Sequence, residues 1–230
     1  LLASRELVRA YKAGAIELPE NAIAIAITLL LAAAWFGRVS GLAVATAIAI
    51  PNVLVYMLFR NPKDFVRRST AAAFAIFYLA FLGGFILLLA HDKDGLARIF
   101  TLVVLVSCND TFAYIFGVLL GKHPLAPHIS PKKTWEGLIG SVIATTIGSA
   151  LVFQYALNHD WWIGAGIGLV AVVTATCGDL IESAVKRDLS IKDMGTILPG
   201  HGGILDRIDS VLFTGPAVWF ALEAIKHFNL

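Results

Sequence analysis

Between Ser183 and Asp209 the chain reads SAVKRDLSIKDMGTILPGHGGILDRID, with four Asp, four Lys or Arg, one His and four Gly beside strongly apolar segments. Carboxylates hold a divalent cation, basic side chains hold phosphate, and glycines let backbone amides approach both. That combination suits chemistry on a phosphorylated substrate. Asp179 and Asp206 are the first candidates for metal ligands, each beside a flexible or apolar neighbour, Gly178 or Leu205. Mg²⁺ typically takes one or two carboxylates and completes its octahedron with water and substrate phosphate. The plainer alternative is that both acids are structural, paired with Lys186 or Arg207. Asp110 and Asp209 are candidates for further ligands or for groups that hold the first two in place.

The HGG run at His201–Gly203, after Pro199 and Gly200, cannot be regular helix. Its glycines, Gly202 and Gly203, can present amides to a phosphate, with His201 donating to a phosphate oxygen. A lone HGG is an ordinary turn; the surrounding acids and bases, among them Lys186, Arg187, Lys192 and Arg207, favour the phosphate reading. A second basic stretch, SPKKTWEG at Ser130–Gly137, offers Lys132 and Lys133 as point charges for a polyphosphate and Ser130 and Thr134 as hydroxyls. Two lysines alone could equally be a topological anchor. Asn109 and Asp110 precede this stretch by half a span. Phosphoryl and nucleotidyl transfers need positioning and charge neutralisation more than covalent catalysis, and these residue types supply both. Neither a Walker A motif nor a GxGxxG occurs.

The elements that must position these groups are membrane spans. Of the 230 residues 58% are hydrophobic and 15% charged, with a mean hydropathy of +0.78; a soluble domain carries about 25% charged residues. Hydropathy predicts seven spans, at Ala22–Trp35, Gly41–Phe59, Thr70–Ala90, Ile99–Leu120, Gly137–Leu157, Trp161–Ile181 and Val211–Ala224. The expected fold class is therefore an all-α polytopic transmembrane bundle. It is read as one continuous domain, with scaffold spans over 1–106 and a catalytic region over 107–230. Pro51 is expected to kink the second span. Asp110 lies mid-span, where an ionisable group costs roughly 2.5–3.5 kcal/mol and needs a partner or water. By helical spacing Asp179, Glu182, Ser183 and Lys186 share a face, and Asp206 and Asp209 repeat the i, i+3 interval. Three elements thus carry carboxylates toward one expected pocket.

Alternating the loops puts fourteen of the 18 Lys and Arg on one side, that of the stretch before Ala22, Arg60–Ser69, Gly121–Glu136 and Glu182–Ser210. The positive-inside rule assigns that side, and the pocket with it, to the cytoplasm. Cys108 and Cys177 fall within apolar spans and read as small buried thiols. Leu1–Glu20 is amphipathic and charged, unlike a signal peptide.

The run from Ser183 to Asp209 closely resembles the signature of the phosphatidate cytidylyltransferase (CDP-diacylglycerol synthase) family. Asn109–Gly137, NDTFAYIFGVLLGKHPLAPHISPKKTWEG, resembles a second block of that family, and CGDLIES at Cys177–Ser183 joins the two. The resemblance implies an integral enzyme of the cell inner membrane that joins CTP and phosphatidate to give CDP-diacylglycerol and pyrophosphate. It implies Mg²⁺ dependence through Asp179 and Asp206, with a second cation such as K⁺ near Asp110 and Asp209. Lys132, Lys133 and Thr134 match the block that handles nucleotide phosphates, and Ser183, Lys186 and Arg187 match positions suited to a phosphate or lipid head group. It further implies a homodimer, and apolar sequence ahead of Arg5–Gly14, so the chain is expected to lack one or two N-terminal spans. No nucleic acid is expected as a partner. The rival readings are a CDP-archaeol synthase, a polyprenol or dolichol kinase and, from another class, a cation transporter. A transporter would place its acids near the midplane, whereas most of these lie at span ends.

Overall fold

The computed structural model describes residues 1–195 and 202–228. The order is α1 (Leu2–Ala13), α2 (Glu20–Arg60), α3 (Phe65–Ile76), a π-helical turn (Phe77–Phe81), α4 (Leu82–His91), α5 (Gly95–Leu120), β1 (Pro124–Ala126), β2 (Ser130–Thr134), α6 (Trp135–Tyr155), α7 (Trp161–Asp188) and α8 (Leu205–Phe228). Among the described residues six helical segments are long and apolar enough to cross a membrane, α3 to α4 counting as one. The chain is an all-α, polytopic integral membrane protein whose described strands form a single two-stranded hairpin.

The seven predicted spans map onto these six segments because α2 carries two of them. It breaks at Arg38, at φ 52° and ψ −140°. One groove is lined by Asn21 and Ile25 from its start and by Asn52 and Tyr56 from its end. In a straight helix those ends would lie roughly 50 Å apart, so the two legs fold back on each other. Pro51 lies inside the second leg and keeps helical dihedrals. Asn52, next to the proline, donates from Nδ2 to the Ile48 carbonyl at 2.8 Å.

The chain divides into two compact units. The first takes residues 1–91 and 185–208. Within it, α1 buries Ala3, Leu7, Ala10 and Tyr11, and α2 lies against α3 and α4. Arg68 ties the connecting loops, donating to the carbonyls of Glu17 and Asn61 at 2.8 Å each.

The second unit takes residues 92–184 and the chain from 209 on. Helices α5 and α6 are closely paired, and a side chain at Gly140 would overlap the Phe116 ring. Gly168 of α7 likewise sits on the α6 backbone at Thr145 and Thr146. Small residues at such contacts let helices approach where no hydrophobic effect drives them together. The loop between α5 and α6 is the β1–β2 hairpin, with Pro124 paired to Thr134 and Ala126 to Ser130. Thr134 ends β2 and caps α6, its Oγ1 accepting the Gly137 amide at 3.2 Å. Cys177, expected to be buried, is exposed, as a small apolar group on a lipid-facing surface can be.

Candidate active site

The second unit holds a cavity of about 270 Å³, a little below the roughly 300–1,000 Å³ usual for ligand pockets. The hairpin and cap bring Ser130, Lys132, Lys133 and Thr134 to it, α5 contributes Asp110, and α7 contributes Asp179. The strand that carries them is pinned at both ends, by the β1 register and by the α6 cap. Glu136, in the first turn of α6, closes the base of the hairpin by accepting the amides of Lys122 at 3.1 Å and His123 at 3.3 Å.

Within this cavity Lys133 Nζ stands 2.7 Å from Asp179 Oδ2. Ser183, one turn further along α7, donates to Asp179 Oδ1 at 3.2 Å. Asp179 therefore has both oxygens engaged, yet its side chain remains 33% exposed. Asn109, itself buried, donates from Nδ2 to Asp110 Oδ1 at 3.1 Å, so it orients Asp110 and does not line the cavity. Tyr114, Ser141 and Thr176 also line it. These three are not among the residues expected from the sequence. Helical spacing from residues already singled out would have found them: Tyr114 is i+4 from Asp110, Ser141 is i+4 from Gly137, and Thr176 is i−3 from Asp179.

A second group of the predicted residues lies in the first unit. Lys186 Nζ donates to Asp206 Oδ1 at 2.8 Å. Asp206 Oδ2 accepts the amides of Met194 at 3.0 Å and Gly203 at 2.8 Å. Its side chain is 10% exposed. Gly202 adopts φ +83°, and a side chain there would meet Asp206 Oδ2. Arg187, Lys192 and Arg207 are exposed. His201 lies outside the described residues. Asp209, in the second unit, is buried near the start of α8, with its carbonyl against Gly178. The cavity thus gathers Asp110 and Asp179, while Asp206 belongs to the Lys186 cluster.

The first unit also contains a buried carboxylate that the sequence reading left out. Glu6 of α1 is 2% exposed. Its Oε1 accepts the Ile204 amide at 3.0 Å and its Oε2 the Leu205 amide at 2.9 Å. Tyr11, one helix face along, is buried too; burial and, secondarily, the Asp188 carboxylate push its hydroxyl up to about 12. It stays protonated through the physiological range.

Residues 1–225 match the cytidylyltransferase family. The chain belongs to that family. Within it, the chain is 43% identical over 163 residues to the phosphatidate cytidylyltransferase of Mycobacterium leprae, covering 71% of this chain and 52% of that protein. It is 38% identical over 165 residues to the phosphatidate cytidylyltransferase of Mycobacterium tuberculosis, covering 72% of this chain and 50% of that protein. With the phosphatidate cytidylyltransferase of Staphylococcus haemolyticus the match is 37% over 221 residues, 94% of this chain and 84% of that protein. The chain spans about half the length of the mycobacterial relatives.

Proposed function

We propose that this cytidylyltransferase-family chain transfers the cytidylyl group of CTP to phosphatidate, giving CDP-diacylglycerol and pyrophosphate. The observation that carries the reading is the cavity itself: two lysines and two hydroxyl residues of the hairpin share it with two carboxylates, in a membrane protein whose relatives bear that enzyme's name. The bias of Lys and Arg to one set of loops supports a site served from the cytoplasm, where CTP is found.

Mg²⁺ fits the donors present. Among the described residues no three His, Cys, Asp or Glu form a ready-made cage. Mg²⁺ does not require one, since water and substrate phosphates complete its shell. Asp110 and Asp179 are the pair that would hold it, and once bound it would neutralise charge developing on the phosphates.

The chain's own residues account for the rest. Lys133 now neutralises Asp179; an incoming triphosphate competes for that ammonium. Lys132 adds a second cation, and the Ser130 and Thr134 hydroxyls can donate to phosphate oxygens. Phosphatidate brings an anionic oxygen, which forms the new bond to the α-phosphorus as the bond to the β-phosphate oxygen breaks. The electron pair leaves with pyrophosphate, so no strong general base is needed. We assign Asp206 and Lys186 to the same reaction on the strength of the signature in which they lie.

The test is incubation of the purified full-length protein with CTP labelled at the α-phosphate, phosphatidate micelles and Mg²⁺, with and without EDTA. Label in a lipid, with pyrophosphate release abolished by EDTA, is the expected result. Label retained in CDP with a phosphorylated lipid would make the protein a kinase; no labelled lipid from phosphatidate would redirect the search to prenyl lipids.

A further inference from the structure

We infer that Glu6 is a positioning residue for Asp206, acting through the backbone that leads into α8. The inference rests on the assignment of Asp206 to the transfer reaction.

Three successive amides enter α8, and each is taken by a carboxylate: Gly203 by Asp206, Ile204 and Leu205 by the two oxygens of Glu6. The first amides of a helix have no partner within it, and one left buried without a partner destabilises the fold. Leu205 is fully buried, so water does not substitute for Glu6 at that amide. Among the described residues Glu6 makes no ion pair with Lys or Arg; the two amides and the positive end of α8 balance its charge.

The fit is tight on both sides. A side chain at Gly195 would overlap Glu6 Oε1, and one at Gly203 would come within 2.8 Å of Oε2. Met194 and Gly203, whose amides converge on Asp206 Oδ2, are next to or among those same residues. Two carboxylates thus clamp the same pair of chain segments, Met194–Gly195 and Gly203–Leu205. Asp206 Oδ2 is fixed by the clamp, which turns Oδ1 to Lys186. Loosening Glu6 moves the backbone from which Asp206 projects.

The experiment compares Glu6→Gln, Glu6→Asp and Asp206→Asn in the full-length protein. Gln keeps the length but offers one acceptor and opposes the second amide with its own NH₂. Asp keeps both acceptors on a stem one methylene shorter. For Glu6→Gln we expect kcat per folded enzyme to fall about tenfold or more with KM for CTP within about twofold. Glu6→Asp should recover part of that loss, and hydrogen exchange at residues 203–206 should quicken in Glu6→Gln. A purely structural role predicts less folded protein but unchanged kcat per folded molecule, and that result overturns the inference. If Glu6→Gln does not fold, wild-type kcat and exchange in Glu6→Asp overturn it instead. Wild-type turnover by Asp206→Asn removes Asp206 from the reaction, whatever Glu6 does.

Discussion

Asp179 and Asp206 each hold a lysine ammonium, at 2.7 and 2.8 Å, and there the likeness ends. Asp179 stands in the second half of α7 with a third of its side chain exposed, and among the described residues its other oxygen takes only the Ser183 hydroxyl. Asp206 is 10% exposed and has two backbone amides on its second oxygen. The first pair can be parted by a ligand at little structural cost. The second is built into the chain path, so its geometry is set before any ligand arrives. An identical residue pair serves two ends when one is hung from a side-chain hydroxyl and the other from the main chain.

The contrast can be broken from the first unit. Lys186→Met should have the largest effect, because it takes the ammonium away from a nearly buried carboxylate. We expect about 3 kcal/mol of lost stability, read by thermal unfolding in detergent, together with loss of turnover. Asp206→Asn sets an NH₂ against either the Lys186 ammonium or the two amides, so it should abolish turnover and also cost about 1–3 kcal/mol. Asp179→Asn should reduce kcat at least about a hundredfold with little change in unfolding temperature. Equal destabilisation by the two Asp→Asn variants would erase the distinction drawn above.

Smaller changes sharpen it. Lys133→Met should raise KM for CTP by about tenfold while moving stability by no more than about 1 kcal/mol, as befits a partly exposed pair. Unchanged CTP dependence would return Lys133 to a topological role. Thr134→Val removes the α6 cap, for about 1 kcal/mol, together with one hydroxyl of the cavity, and should raise KM for CTP less than Lys133→Met does.

The spans were legible because a run of about 20 apolar residues has few alternatives in lipid, and the seven predicted runs all recur as helix. Asp110, Lys132, Lys133, Thr134 and Asp179 were legible as charged or hydroxyl groups in unusual places, and the cavity is lined by all of them. The β1–β2 hairpin was not foreseen: its strands are only three and five residues long and carry prolines, too short for a period to register. Glu6 was missed for a different reason. A lone Glu in an amphipathic helix reads as solvated, and only the distant amides of Ile204 and Leu205, about 200 positions along, make its burial tolerable. No local pattern encodes a partner that remote.

The break in α2 bears on how this protein enters a bilayer. Its legs, 20–37 and 39–60, are each roughly 30 Å long, about one hydrocarbon thickness, and a single residue, Arg38, separates them. Neither leg can be threaded and paused while the other waits in water, since the turn has no length to spare. The pair must partition together, as a preformed helical hairpin. The guanidinium of Arg38 at its tip is the one basic group between the legs, and held at mid-bilayer it would cost about 2.5–3.5 kcal/mol, set against two apolar helices.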